Sequence, residues 1–178
     1  INLMANKSVL DGVTIIDAST VLASPLGASL VGDFGAEVIK VEQPVVGDPS
    51  RNWGTNIWKV TGRNKKSITL NFNKEEGTKL FYKLVEKADV VVVNYRPETL
   101  KKWKIDYEDL KKVKEDIIVM HFSAFGRNGP YSNKPGFARI AEAYSGLTNL
   151  TGYPDRKPVF SGYPIADALG GVYIAYSI

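Results

Sequence analysis

A doubly wound α/β domain, with a mostly parallel, Rossmann-like sheet and helices on both faces, is the fold this sequence predicts. Three observations carry that reading. Apolar patterns of strand length alternate with patterns of helical spacing from residue 13 to residue 123. The first three elements, within 13–42, form a strand–helix–strand unit, which normally means a parallel pair joined by a right-handed crossover. Residues 89–95 (DVVVVNY) contain an uninterrupted apolar run, as a strand covered on both faces requires.

Taken in order, residues 13–17 (VTIID) read as a short buried strand. Ser24 offers an N-cap with Pro25 at the first helical position, and Leu26, Leu30, Val31 and Phe34 follow at helical spacing. Gly35 is a natural stop for that helix, and 36–42 (AEVIKVE) is the second strand. Residues 44–66 are irregular, with Pro44, Gly47, Pro49, Gly54 and Gly62 and a basic stretch at Arg63, Lys65 and Lys66. A strand is expected at 67–71 (SITLN). Asn73 with Glu76 resembles a capping box for a helix whose Leu80, Phe81, Leu84 and Val85 share one face, ending near Ala88. The strand at 89–95, a helix at 107–115 and a strand at 117–123 (IIVMHFS) repeat the pattern. Residues 124–136 are rich in glycine and proline, 138–147 suit a helix, and a last helix starts near Ile165 with Ile165, Leu169, Val172 and Tyr176 spaced for one face. That pattern is still running at Ile178, which reads as a portion of a longer protein. Ile1, Asn2 and Leu3 precede Met4 and read as residues ahead of the natural start.

Composition narrows the function. With 178 residues, 44% hydrophobic and 24% charged, the chain can bury one core. The net charge of +4 is mild and spread along the chain, which suits an anionic small molecule better than nucleic acid. The chain has no cysteine and one histidine, which removes disulfides, thiolate catalysis and Cys/His metal sites. No apolar run reaches the ~18 residues that span a membrane, and the N-terminus shows no signal-peptide pattern. A cytoplasmic or organelle-matrix location is the default expectation.

A nicotinamide-binding domain is the obvious guess for such a fold, but the first strand–helix junction, 17–25 (DASTVLASP), contains no glycine. The dinucleotide fingerprint needs glycines there so that the backbone can approach a pyrophosphate. No Walker A sequence is present either. The fold is therefore Rossmann-like without NAD. Asp167 falls in the expected first turn of the last helix, where the dipole favours an anion, and by itself it reads as an aspartate that caps or decorates that helix. The neighbouring Gly170-Gly171 pair leaves room for something bulky.

Six ordered segments together resemble the family III CoA-transferases, a superfamily with acyl-CoA racemase relatives. They are LDGVTIIDAS…LASP (10–25), GDFGAEVIKVEQP…GDPSR (32–51), GRNKKSITLNFNKEEG (62–77), ADVVVVNYRPETLKKW (88–103), FSAFGRNGPYSNKPGF (122–137) and SGYPIADALGG (161–171). The resemblance covers residues 10–178 and implies the N-terminal, coenzyme-A-binding domain of a protein roughly twice as long. It implies transfer of CoA from an acyl-CoA donor to a carboxylic acid, with coenzyme A as substrate, no metal, no nucleic acid, no membrane, and an interlocked homodimer. It assigns Asp167 as the residue that forms an acyl anhydride and then a CoA thioester. It sets Val21, Leu22 and Ala23 along the thiol end. Leu70, Asn71, Phe72, Asn73, Asn94, Tyr95 and Arg96 are implied to hold the nucleotide and the pantetheine arm, and Lys102 a phosphate.

Several positions depart from the pattern. Leu22 stands where formate-specific members carry glutamine, Gln43 replaces a basic residue, and Ala138 stands where many relatives are acidic. Phe137 occupies the position of the racemases' acid/base histidine and cannot move a proton. A racemase or epimerase, and a CoA-binding fragment without activity, are the two other readings. For Lys101, Lys102 and Lys104 a solvated helical face competes with phosphate binding, and Arg63, Lys65 and Lys66 stay open in the same way. His121 is expected as a structural residue inside a strand, with acid/base work as the alternative. Trp53, Trp58 and Trp103 read as packing residues, any one of which could stack on adenine.

Overall fold

Short β-branched runs with no polar interruption can only be satisfied at the centre of a sheet, and the chain places them there. The computed structural model describes residues 8–53 and 56–178; Ile1, Asn2, Leu3, Met4 and Gly54 of the sequence reading lie outside these. The strands β1 (Thr14–Asp17), β2 (Glu37–Glu42), β3 (Lys65–Thr69), β4 (Val90–Val93) and β5 (Ile118–His121) form one sheet in the order β3-β2-β1-β4-β5. Every pairing is parallel, with Ile16 opposite Ile39 in β2 and Val91 in β4. The expected fold class is borne out, including the adjacency of the first two strands.

Because successive side chains on a strand point to opposite faces, β1 and β4 feed two separate cores. Ile16, Val91 and Val93 meet Phe81, Val85, Leu100 and Leu110 on one face. Those residues come from helices α3 (Glu75–Val85), α4 (Pro97–Trp103) and α5 (Tyr107–Val113). Ile15, Val90 and Val92 meet Ala28, Val31 and Ile174 on the other. There the cover is α1 (Ala23–Asp33) and α7 (Ile165–Ser177). Helix α2 (Ile57–Thr61) precedes β3, and α6 (Ala138–Tyr144) lies against α7. Gly35 ends α1 with φ of +104°, the left-handed conformation that glycine adopts at no steric cost. Among the described residues no helix is long and apolar enough to cross a membrane.

Four local expectations are corrected. Helix α1 is capped at Leu22, two residues earlier than Ser24, because Val21 turns the chain with φ of +74°. The capping box before α3 does not form: Lys74 is the cap, and the Asn73 carboxamide oxygen accepts the Trp103 indole N–H at 3.0 Å instead. Strand β3 begins at Lys65 and not at Ser67, since both lysines find acidic partners and charged residues suit an edge strand.

The fourth correction concerns the apolar faces of α1 and α7, which are only partly covered: Val31 is buried and Leu26 lies against Gly171. Phe34, Leu169, Val172 and Tyr176 are exposed, while Gly27, Ala28, Gly170, Gly171 and Ile174 are buried. A Cβ on Gly171 would lie 2.9 Å from Leu26, and one on Gly170 would lie 2.6 Å from Phe122. The room beside this glycine pair is thus filled by neighbouring elements of the fold.

Candidate active site

The sheet order reverses between β1 and β4, and a crevice opens there beyond the carboxyl ends of the strands. An open cleft of 660 Å³ occupies that crevice. Its walls are Thr20 to Ala23 after β1, Asn94 to Arg96 after β4, and Ala166 with Asp167 at the start of α7. The segment 132–138 completes it. Of the residues singled out in the sequence, Val21, Leu22, Ala23, Asn94, Tyr95, Arg96 and Asp167 come together here.

The remaining candidates lie apart from the cleft. Leu70 is in the core, and Phe72 stacks on Trp103 at 5.4 Å between ring centres. The Asn71 side chain accepts the Asn73 backbone N–H at 3.0 Å. Lys102 is exposed in the last turn of α4. Of the other basic residues, Lys65 is buried against Asp17, Lys66 pairs with Glu37, and Arg63 pairs with Asp33. Trp58 packs under the Arg51 guanidinium at 3.8 Å and Trp103 packs on Tyr95, whereas Trp53 is half exposed.

The wall formed by residues 20–23 is held with unusual firmness. Positive φ is an outlier for a β-branched residue and costs on the order of 1–3 kcal/mol. Here Val21 adopts it where a dinucleotide fold would have glycine. The surroundings enforce the conformation. Asn94 donates to the Thr20 carbonyl at 2.7 Å and accepts the Thr20 N–H at 3.0 Å. Both Asp48 carboxylate oxygens accept the Val21 N–H, at 3.3 and 3.2 Å.

Behind this wall sits a buried ion network. Asp48 lies 3.3 Å from Lys40, whose ammonium also donates to the Ser19 carbonyl. Lys40 is 3.6 Å and Lys65 2.7 Å from Asp17. Burial pushes the Asp17 carboxyl up, but Lys40, Lys65 and the Ser19 hydroxyl outweigh it and bring it down to about 2. Asp17 is therefore a fixed anion. Sequence reading missed Lys40 and Asp48, although a lysine inside the apolar run EVIKVE was a visible signal that a buried partner awaits it.

Asp167 differs from these paired carboxylates. It is half-buried in the first turn of α7 with no cation against it among the described residues. Its carboxyl is raised above the ordinary value by burial first and by the Glu142 carboxylate second. Electrostatics therefore run opposite to the stabilised anion expected from the helix terminus alone. It does not cap the helix, since no side-chain cap is made there.

Tyr95 stays a neutral phenol, pushed up to about 12 by burial and then by Asp48 and Asp17. His121 is tied into the structure. Its Nε2 bonds the Tyr95 carbonyl at 2.7 Å and its Nδ1 faces Arg127 at 3.3 Å, so the neutral Nε2–H tautomer satisfies both. Burial lowers it further, and it does not reach the cleft. Phe137, the cap of α6, is exposed at the mouth. Among the described residues no cluster of side chains suited to a metal ion occurs.

The pattern of CoA-transferase family III matches residues 10–178. The chain is 39% identical over 178 residues to the succinyl-CoA--L-malate CoA-transferase alpha subunit of Chloroflexus aurantiacus, covering 95% of this chain and 42% of that protein. It is 38% identical to human succinyl-CoA:glutarate CoA-transferase, covering 96% of this chain and 40% of that one. A crystal structure of a CAIB/BAIF family protein from Brucella suis superposes with a TM-score of 0.92 at 35% identity, over 96% of this chain and 48% of that chain. The chain thus spans less than half the length of each of these relatives.

Proposed function

Since the chain belongs to CoA-transferase family III, we propose that the full-length protein moves coenzyme A from an acyl-CoA donor to a carboxylic acid through a covalent intermediate on Asp167. The Asp167 carboxylate attacks the thioester carbonyl and the CoA thiolate leaves, giving a mixed anhydride. The thiolate then attacks the aspartyl carbonyl and releases the donor acid, leaving an aspartyl-CoA thioester. The acceptor carboxylate attacks that thioester and expels the thiolate again. Attack of the thiolate on the new acyl carbonyl frees Asp167 and the product.

The observation that supports this most is a poorly solvated carboxylate without a counter-ion, in a cleft at the switch point of the sheet. Such a carboxylate is more basic than one in water and a better nucleophile. Arg96 and Lys134 face the same cleft and are suited to CoA phosphates or to the second carboxylate of a dicarboxylic acid. Two of the relatives named above, from Chloroflexus aurantiacus and human, carry succinyl-CoA in their names, and a dicarboxylic donor is the substrate class we assign. A racemase reading finds no proton carrier at Phe137.

The nucleotide specificity can be read by titration calorimetry of the full-length protein with CoA and with NAD. The glycine-free turn at 17–25 leads to measurable CoA binding and NAD binding at least tenfold weaker. NAD binding tighter than CoA would contradict the reading.

The assembly is part of the same proposal. Leu169, Val172, Tyr173 and Tyr176 leave an apolar face of α7 exposed, at 54 to 87% of their surfaces. A face of that kind normally meets another surface. We assign the full-length protein as a homodimer, and sedimentation of a monomer at micromolar concentration would refute that.

A further inference from the structure

Glu142 is the one carboxylate of α6, and only 3% of its surface reaches solvent. No ion pair among the described residues involves it. Its Oε1 accepts the backbone N–H of Ala166 at 3.3 Å, directly before Asp167. Pro164, at the cap position of α7, supplies no side-chain cap, so Glu142 reaches across from α6 to do so. A negative charge at a helix N-terminus is stabilised by the exposed amides and the helix dipole. The same placement sets a second carboxylate next to the reacting one, where like charges oppose each other's ionisation.

We propose that Glu142 is a positioning residue for Asp167: it pins the first turn of α7 and sets a second negative charge beside the nucleophilic carboxylate. The proposal rests on the reading of Asp167 as nucleophile. Its consequence is chemical as well as mechanical. A half-buried carboxylate with an anion beside it is made more basic, which strengthens its attack on a thioester. In the cleft, the other titratable groups facing Asp167 are Tyr173 on α7 itself, Tyr95 and Arg96 after β4, and Lys134 from the segment before α6; residues 20–23 contribute none. Glu142 is outside that lining and adds a negative charge from α6. The raised state of Asp167 fits the arrangement, with burial as its first cause and Glu142 as its second.

Two substitutions separate the mechanical from the electrostatic part. Glu142→Gln keeps an oxygen able to accept the Ala166 N–H and removes the charge. Glu142→Ala removes both. In the full-length protein, the acid limb of the kcat/KM pH profile is expected to move to lower pH in Glu142→Gln. The sign follows from Asp167 being active when ionised: lifting a neighbouring anion lets it stay ionised further into acid. Glu142→Ala is expected to lower kcat more than Glu142→Gln does, by up to ~10²-fold, as misplacement of a reacting group by about an ångström does.

A second readout needs no turnover. Titration of the side-chain carboxyls by 13C NMR, with Asp167→Asn identifying the resonance, should show Asp167 ionising at lower pH in Glu142→Gln than in the parent. An Asp167 resonance and an acid limb both unmoved in a folded Glu142→Gln protein would overturn the proposal. Absence of CoA transfer in the parent would instead refute the nucleophile reading, while the NMR comparison would still decide whether Glu142 acts on Asp167.

Discussion

Asp167→Ala in the full-length protein is expected to lose CoA transfer by on the order of 10⁴-fold, as removal of a covalent nucleophile does. Among the described residues no other carboxylate lines the cleft. Tyr95 remains protonated at neutral pH, and Arg96 and Lys134 are cations. The chain has no cysteine, and its one histidine is occupied by Tyr95 and Arg127 outside the cleft. Asp167→Asn should be nearly as poor, because an amide keeps the shape and is a far weaker nucleophile. CoA affinity in both variants is expected to stay close to that of the parent, since the groups suited to its phosphates lie elsewhere in the cleft. Steady-state kinetics with calorimetry on the same samples checks both halves. An asparagine variant with near-normal kcat would remove Asp167 from the role.

Gly27→Val is expected to unseat the helix that carries Asp167. At Gly27 a Cβ would fall 2.5 Å from the Ile174 side chain and 2.9 Å from the Gly171 backbone oxygen. Both distances are too short for carbon, and one of the obstacles is backbone that cannot rotate away. Either α7 moves off α1 or the core opens, and overpacking of this kind costs about 1–3 kcal/mol or more. Because α7 also supplies one wall of the cleft, activity should fall together with the urea midpoint. Gly162→Ala is the control: a Cβ there meets nothing within 4 Å, and both quantities should stay as they were. A Gly27→Val protein with an unchanged midpoint would show that the two helices do not approach as closely as described.

The sheet was legible because its strands advertise themselves. Four consecutive valines in β4 are all buried, and only a two-faced strand accommodates them. Helix faces were less legible for a definite reason. Periodicity weights large apolar side chains, so it selected Leu169, Val172 and Tyr176, whereas two helices approach closely through Gly27, Gly171 and Ile174. Glycine has almost no hydrophobic signal and yet decides the contact. The cap expected at Ser24 failed because nothing in the sequence announces that Val21 turns the chain with positive φ; that conformation depends on Asp48 and Asn94, both far away along the chain.

The site shows the same division. Asp167 was singled out through its resemblance to a family segment, and the loops after β1 and β4 through the general rule for parallel sheets. Glu142 was not found. A lone acidic residue in the short run ARIAEAY reads as a solvent-facing position, and only the docking of α6 on α7 buries it. The expectation that the helix terminus would stabilise the Asp167 anion was incomplete for the same reason, since burial and Glu142 both act against it.

The central claim is a covalent bond between Asp167 and the group being transferred, and mass spectrometry tests it most directly. The full-length protein is incubated with acyl-CoA, quenched with hydroxylamine and digested. Hydroxylamine converts either the anhydride or the aspartyl-CoA thioester to a hydroxamate on the side chain. The account predicts a hydroxamate on the peptide spanning Asp167, dependent on acyl-CoA and absent from Asp167→Asn. An unmodified Asp167 peptide under conditions where CoA transfer is running, or a hydroxamate on a different residue, would contradict it.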